Sequence, residues 1–287
     1  SDDTDIKDAI PDVKAIYTYT KFFIADTTAE ERQKDIDDMK ECKQSLDNHM
    51  EFTIMLFEMM LFMDDEHNAY ELLNGNKEAD IKLIDYLWVI LSMRFDNSEY
   101  AKRGFSLIKE QNVKISKQYG LIILNGAIRF WEDINGLKAN LKFEEATIQD
   151  VYETVYNYRE KDIYDLDHIK DLSSRCPQDI QYLLSEILAD SGHFDEAIAL
   201  IKPHVSTKKF SANLECYITY LQQKNEKAEI FKTLKSLRKN GFNKIHKYLH
   251  LELILATSCN DMQDTYEVIG VLYHKYPSIA NYLYNYA

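Results

Sequence analysis

Apolar residues recur at the spacing of one helical turn along most of the chain. One stretch places Leu183, Leu184, Ile187 and Leu188 in this way, and the same spacing returns further on. Residues three and four positions apart share a face of an α-helix, so the pattern predicts amphipathic helices. No stretch shows the sustained two-residue alternation, bounded by glycine or proline, that is typical of strands. The pattern therefore predicts an all-α protein.

Residues that interrupt helices are scarce. The 287 residues include only 8 glycines and 4 prolines, which favours long helices joined by short turns. The most apolar stretch, residues 55–63, is rich in methionine and is interrupted by Glu58. It is far shorter than the roughly 20 residues of a membrane span. Methionines at helical spacing are typical of core packing, so we expect this stretch to be buried and predict no membrane span.

A small residue returns at a regular interval behind polar residues. Successive occurrences lie 32, 96 and 31 residues apart, and the interval of 96 is three times 32. Two intermediate positions are therefore predicted, at Asp133 and Asp165. A period of about 32–34 residues is the mark of stacked helical hairpins, and a small residue lets two helices cross closely. The residues that define the period are Ala69, Ala101, Ala197 and Ala228.

The motif around Ser185 and Ala197 resembles the tetratricopeptide repeat. That family places small residues at its eighth and twentieth positions, an aromatic near the seventeenth and a proline at the thirty-second. Counted from Gln178, the eighth, seventeenth and twentieth positions are Ser185, Phe194 and Ala197. A repeat counted from Ala146 closes on Pro177, and one counted from Ile245 closes on Pro277 if its turn is one residue longer. The resemblance implies a right-handed α-solenoid of stacked antiparallel helical hairpins.

Four segments are predicted. Residues 1–48 form an acidic lead-in with a helix, for which Thr28 is the predicted N-cap. Residues 49–131 form N-terminal helical repeats, and residues 132–145, the least regular stretch, form a linker. Residues 146–287 form C-terminal repeats that resemble the tetratricopeptide family, closed by a capping helix near the C-terminus.

Charge is negative overall but uneven. The net charge is -14, which disfavours non-specific binding of nucleic acid by the whole surface. Residues 1–60 hold 15 acidic against 7 basic side chains, whereas residues 202–250 hold 11 basic against 3 acidic ones. The second segment is therefore where an acidic partner would be attracted.

The 4 cysteines are far apart in the sequence and form no Cys-x-x-Cys pair. This spacing argues against a zinc site or a disulfide framework and predicts a reducing, cytoplasmic compartment. The sequence begins with Ser rather than Met, so a secretion signal or a lipidated cysteine ahead of it stays an open alternative.

Motifs of catalysis and cofactor binding are absent from the sequence. It contains no GxSxG, phosphate-binding loop, GxGxxG or HExxH. His246 and His250 are four residues apart on one predicted helix face, but no further ligand is near to complete a metal site. We therefore expect no enzymatic activity, no cofactor and no metal.

Two candidate binding surfaces follow. In the family that the chain resembles, certain positions of each first helix line a concave groove. Carried over, the groove positions are Asp150, Thr154, Asn157, Tyr182, Glu186, Glu215, Thr219 and Gln222. Independently, Lys232, Lys235 and Lys239 share one helix face beside Arg238, which predicts a basic patch for an acidic partner: a peptide, a phosphate group or a nucleic-acid backbone. The alternative for the patch is ordinary enrichment of cations near a helix C-terminus.

The leading functional interpretation is a non-enzymatic scaffold or adaptor that binds a protein or peptide through the concave surface of its helical repeats. One alternative is a structural subunit of a larger multiprotein assembly, of the kind found in coat complexes. Another is a regulatory domain that senses a peptide or a small ligand. A subunit of a larger assembly would present a groove filled by another chain. A sensing domain would present a deep pocket lined by titratable groups with perturbed pKa values.

Overall fold

The computed structural model describes residues 11–24, 27–45, 50–75, 81–208, 210–241 and 246–276. Within these ranges the chain forms fifteen α-helices and two short 3-10 helices, and no β-strand. Ile115 and Phe143 make an isolated parallel bridge. The prediction of an all-α protein is confirmed for the described residues. Pro277 and the predicted capping helix lie outside them, as does Ile245.

The helices fall into two units, residues 1–146 and residues 147–287. In the first unit they are α1 (Pro11–Ile24), α2 (Ala29–Ser45), α3 (Met50–Phe62), α4 (Glu66–Gly75), α5 (Ile81–Phe95), α6 (Ser98–Gln111) and α7 (Gly120–Arg129). At the boundary α8 (Ala146–Lys161) begins, and it is followed by α9 (Leu166–Arg175), α10 (Gln181–Asp190), α11 (Phe194–Ile201), α12 (Ala212–Gln223), α13 (Lys227–Lys239), α14 (His246–Ser258) and α15 (Met262–Lys275). The 3-10 helices, Gln178–Ile180 and Lys202–His204, precede α10 and follow α11.

Short polar side chains begin several helices. The Thr28 hydroxyl accepts from the Glu31 amide at 3.2 Å, and the Glu31 carboxylate accepts from the Thr28 amide at 2.8 Å. This reciprocal pair is a capping box, and it confirms the predicted N-cap of α2. Asp165 is the N-cap of α9 and Ser211 is the N-cap of α12. The side chain of each accepts hydrogen bonds from backbone amides of the first turn. These bonds satisfy donors that have no partner inside a helix.

Five turns between paired helices share one backbone geometry. Each contains a residue in the left-handed region, and the amide after it donates to the carbonyl five residues earlier, at 2.8–3.0 Å. This is the Schellman arrangement, which ends a helix and satisfies its last carbonyls. The left-handed residues are Asp64, Asp96, Gly192, Asn225 and Asn260. Consecutive ones lie 32, 96, 33 and 35 residues apart, so the turns carry the period that the alanines predicted.

The alanine alignment is correct in three places and wrong in one. Ala69, Ala101 and Ala197 each follow a left-handed residue by five positions, and all three are fully buried. Ala228 is exposed, and Ile230 is buried at the equivalent position. The sequence alignment was shifted by two residues because it followed alanine, whereas the equivalent position of that hairpin is an isoleucine.

The predicted intermediate positions at Asp133 and Asp165 are also wrong, because Asp165 is the exposed N-cap of α9 rather than a buried position inside a helix. Residues 130–140 form turns instead of a second helix paired with α7. Gly136 and Asn140 both have positive φ there, which interrupts helical hydrogen bonding. Ile134 and Phe143 are buried, so the predicted linker contributes side chains to the core of the first unit.

The core of the first unit includes the methionine-rich stretch. Leu56, Phe57, Met59 and Met60 of α3 are buried together with Trp88 of α5, as expected for core methionines. In the second unit α10 packs against α9, α11 and α12, while α13 packs against α12 and α14. Consecutive hairpins of this unit are therefore in contact. Their arrangement as a solenoid and membership of the tetratricopeptide family stay predictions.

Ala197→Leu should lower the free energy of unfolding by about 1–3 kcal/mol, because the added methylenes have no space at a fully buried position of α11. Ala228→Leu is the matched control: the same change at an exposed position should stay within about 0.5 kcal/mol of the parent. Urea unfolding followed by circular dichroism measures both. Equal effects would contradict the assignment of the close crossing to Ala197.

Candidate functional site

The predicted groove residues of the second unit lie on first helices of successive hairpins. Glu186 and Thr219 each precede the left-handed residue of their hairpin by six positions, and so does Ile254 of α14. They are therefore equivalent positions on α10, α12 and α14. Glu186 is half-buried, while Thr219 and Ile254 are exposed. A surface that runs across three first helices can meet an extended segment of another chain.

Glu186 lies between side chains of the two neighbouring first helices. Its carboxylate is 3.9 Å from the guanidinium of Arg159 on α8, and it accepts from the Cys216 thiol of α12 at 3.7 Å. Burial raises the pKa of Glu186, and the Arg159 charge and the thiol hydrogen bond partly oppose that rise. Burial also raises the pKa of the neighbouring Tyr182 phenol. The groups at this point are thus partly withdrawn from water.

A buried polar contact lies beneath Glu186. The hydroxyl of Ser185, which has no exposed surface, donates to the Tyr182 carbonyl at 2.8 Å and lies 3.1 Å from the Tyr220 hydroxyl. Burial raises the pKa of the adjacent Cys216 thiol to about 12, so the thiol is protonated at neutral pH. These contacts join α10 to α12 and hold Tyr182 and Glu186 in place.

Glu215 connects α12 to the next first helix. Its carboxylate accepts from the Lys247 ammonium at 2.5 Å and from the Tyr248 hydroxyl at 3.4 Å, both on α14. The hydroxyl of Thr219 donates to the Glu215 carbonyl at 2.9 Å. Gln222 is exposed one turn further along α12. Of the groove positions on α12, Thr219 and Gln222 are the accessible ones.

The predicted groove residues on α8 contact α9 or their own helix. Asp150 pairs with Arg175 at the end of α9, at 3.1 Å, and the hydroxyl of buried Thr154 lies 3.3 Å from His168 of α9. Asn157 accepts from Lys161 of its own helix at 2.9 Å. The structure thus brings Tyr182, Glu186 and Cys216 together, and it places Asp150 and Thr154 against the second helix of their own hairpin.

The predicted basic patch contains two side chains that are paired within the chain. Arg238 has only 9% of its side chain exposed, and it donates to Glu252 at 3.0 and 3.2 Å and to Asp264 at 2.5 Å. Lys235 pairs with Asp264 at 3.2 Å. Two further carboxylates complete this cluster, which we call the α13–α15 ion cluster: Asp261 lies 3.2 Å from Lys235, and Glu267 lies 3.0 Å from Arg238.

The other two cations of the patch are accessible. Lys232 is exposed and lies 3.9 Å from Glu229 of its own helix, and Lys239 is exposed at the end of α13. A patch of four cations for an acidic partner is therefore reduced to two, because Lys235 and Arg238 already join α13 to α14 and α15.

The sequence did not identify Arg159 and Cys216, which contact Glu186, or Tyr220, which is buried beneath it. Arg159 and Cys216 lie 27 and 30 residues from Glu186 in the sequence. The left-handed turn residues Gly192 and Asn225 could have placed Cys216 on the helix beside α10, since they align these two hairpins residue by residue. The turn after α8 has a different hydrogen-bond pattern, so it gave no such signal for Arg159.

Metal ligands are not grouped in the part of the chain that the structure describes: no set of three or more His, Cys, Asp or Glu side chains is placed to hold an ion there. The His246 and His250 rings are stacked, with centroids 6.0 Å apart. The four cysteines, Cys42, Cys176, Cys216 and Cys259, are free thiols. Among the described helices none is long and apolar enough to cross a membrane.

Comparison with known proteins identifies no family for this chain. No protein-family model matches the chain, and no curated protein matches it. Among solved structures, one described as "Structure of Naa15/Naa10 bound to HypK-THB" aligns with 13% sequence identity and a TM-score of 0.32. The alignment covers 92% of this chain and 42% of that chain, so this chain corresponds to less than half of its length. At this TM-score the likeness supports no inference about fold or function.

Proposed function

We propose that the chain is a non-enzymatic scaffold that binds an extended segment of another protein on the first helices of its second unit. The observation that carries the proposal is the equivalence of Glu186, Thr219 and Ile254 on the first helices of three successive hairpins. Side chains at one repeated position provide a row of contacts at regular spacing, which suits a peptide better than a compact ligand. Tyr182 adds a half-buried aromatic beside Glu186, and aromatics are enriched at binding hot spots.

The absence of enzymatic activity is part of the proposal. The surface has one thiol, Cys216, and burial keeps it protonated at neutral pH, whereas a nucleophilic cysteine needs a lowered pKa. Its hydrogen-bond acceptor is Glu186, whose own pKa is raised. Ser185 is fully buried and bonded to the Tyr182 carbonyl, so it is not presented to a substrate.

Pull-down from the native source followed by mass spectrometry tests the site with two matched variants. Thr219→Arg with Gln222→Arg changes two exposed side chains of α12, and Lys232→Glu with Lys239→Glu changes two exposed side chains of α13. Bulky charges on the proposed surface should reduce partner recovery about tenfold or more, the effect of losing about 1.4 kcal/mol. The α13 variant should retain the partner, and both variants should keep the parent's helicity.

Two results would contradict the proposal. Loss of the partner from the α13 variant alone would place binding at the exposed lysines, as an acidic partner at a basic patch requires. Full retention of partners by the α12 variant would exclude the first-helix surface of the second unit.

A second candidate function is a structural subunit of a larger assembly. It is favoured by α1, on which Val13, Ile16, Tyr17 and Ile24 are exposed, the last with 79% of its surface accessible. Exposed apolar side chains on one helix mark a surface that packs against a partner's helix. A partner held there should be recovered by both pull-down variants, which separates this function from the first.

A further inference from the structure

One ion pair recurs between the second helices of consecutive hairpins in the second unit. These helices are aligned by the left-handed residues that precede them: Gly192, Asn225 and Asn260. Lys202 and Lys235 lie ten positions after the first two of these residues. Lys202 is 3.9 Å from Glu229 of α13, and Lys235 is 3.2 Å from Asp264 at the equivalent position of α15. In α15 the position of these lysines is occupied by Gly270, so the last described helix does not carry the cation that joins one hairpin to the next.

The outward face of α15 is apolar. Four of its side chains are spaced by four, three and four residues: Met262, Tyr266, Ile269 and Tyr273. This is the spacing of a seam along which two helices pack. Met262, Tyr266 and Tyr273 are exposed, with 58–67% of their surface accessible. Ile269 is half-buried, whereas its equivalents Ile201 and Leu234 are at most 1% exposed.

The equivalent faces of α11 and α13 contact the next first helix. Phe194 of α11, equivalent to Met262, packs against Tyr220 of α12 with ring centroids 6.4 Å apart. Arg238 of α13, equivalent to Tyr273, donates to Glu252 of α14 at 3.0 Å. A face that packs against a helix in two hairpins is thus open on α15, and contiguous exposed apolar side chains mark an interaction surface.

The charges of α15 favour a second copy of this chain as the occupant of that face. The helix has Asp264 in its first turn and His274 and Lys275 in its last. In an antiparallel pair the basic end of each helix lies beside the acidic end of the other, where the two helix dipoles also attract. A further hairpin of the same kind would instead meet Gly270 where its carboxylate needs a lysine.

We propose that α15 packs antiparallel against α15 of a second copy across a twofold axis, with Tyr266 and Tyr273 of both copies in the seam. The same patch then serves both chains, as a twofold interface requires. The proposal is independent of the peptide-binding surface, which lies on the first helices of the hairpins.

Sedimentation velocity of the full chain, over concentrations from about 1 to 200 μM, tests the proposal. One helix pair is a small interface, so we expect a monomer–dimer equilibrium with a dissociation constant of about 10–100 μM. Tyr266→Ala with Tyr273→Ala should weaken it about 100-fold or more, because four tyrosines are lost from the dimer. Ile16→Ala with Tyr17→Ala, two exposed residues of α1, is the matched control and should leave the dimer unchanged.

A second pair of variants adds a charge without crowding the fold. Gly270→Lys places an ammonium beside the seam and should also weaken the dimer at least tenfold. Gly75→Lys is its control, since no atom lies within 4 Å of a Cβ at either glycine. Circular dichroism checks that each variant keeps the parent's helicity.

Three results would overturn the proposal. The first is a parent chain that stays monomeric at the highest concentration, including one whose α15 variants lose a partner in pull-down, which would assign the face to a different protein. The second is a dimer that survives both α15 variants. The third is a dimer lost only from the α1 variant, which would place self-association on α1.

Discussion

Gly104→Ala and Gly126→Ala are each expected to lower the free energy of unfolding of the first unit by about 1–3 kcal/mol. Both glycines lie against Val89 of α5, one from α6 and the other from α7. A Cβ at Gly126 would lie 2.4 Å from a methyl carbon of Val89, and one at Gly104 would lie 2.8 Å from the other methyl and 3.0 Å from the Asp85 carbonyl. Val89 is fully buried, so it has little space to move. Urea unfolding measures the loss.

Val89→Ala distinguishes this steric cause from a general effect of substitution. Combined with Gly126→Ala it removes the obstructing methyl, so the double variant should be more stable than the sum of the single effects. Rescue at Gly104 should be smaller, because the Asp85 carbonyl remains in the way.

Gly270→Ala is the control for helix propensity. No atom lies within 4 Å of a Cβ at this position of α15, so the change should be neutral or stabilising by up to about 1 kcal/mol. Similar losses at Gly104 and Gly270 would contradict the close crossing of α5 by its neighbours.

The helices were predictable because their signals are local. Apolar spacing and the Thr28 N-cap each involve residues within a turn or two, and the structure agrees with both. Alignment of successive hairpins was harder. The alignment followed alanine, but the residue equivalent to Ala197 in the next hairpin is Ile230, so Ala228 was placed two residues too early.

The binding surfaces were less predictable because they depend on contacts between hairpins. The lysines predicted to share one helix do lie on α13. The carboxylates that pair with Lys235 and Arg238, however, belong to later segments of the chain. The carboxylates of Glu252 and Asp264 lie 14 and 26 residues beyond Arg238 in the sequence. No local pattern in α13 indicates that these groups meet Arg238, so its burial could not be read from the lysine spacing.

Arg238→Met is expected to lower the free energy of unfolding by about 3–5 kcal/mol at pH 8, because it leaves buried carboxylates of the α13–α15 ion cluster without their cation. Glu252 and Asp264 each have about 1% of their side chain exposed. Lys235 remains near Asp264 but does not replace the contacts that Arg238 makes with Glu252. Lys232→Met on the same helix is the control, and loss of this exposed cation should cost less than about 0.5 kcal/mol.

The loss should become smaller as the pH falls. Burial first, and then the neighbouring Asp264, raise the pKa of Glu252 from 4.5 to about 7, although Arg238 lowers it. A carboxyl whose pKa is higher in the folded than in the unfolded chain binds more protons when folded, so its contribution to stability is present at low pH and is lost as the pH rises through about 7. Removal of Arg238 raises that pKa further, and protonation at pH 5 therefore restores part of the lost stability.

Glu252→Gln distinguishes the effect of the Glu252 charge on stability from the effect of its packing. The amide keeps nearly the same shape and carries no charge, so this variant should lose the part of the pH dependence that Glu252 causes between pH 5 and pH 8. In combination with Arg238→Met it should recover part of the 3–5 kcal/mol, since one buried carboxylate no longer lacks a cation. Urea unfolding at both pH values measures all of these differences. A deficit of Arg238→Met that grows on acidification, or one no larger than that of Lys232→Met, would contradict the ion cluster as the contact that holds the last two hairpins together.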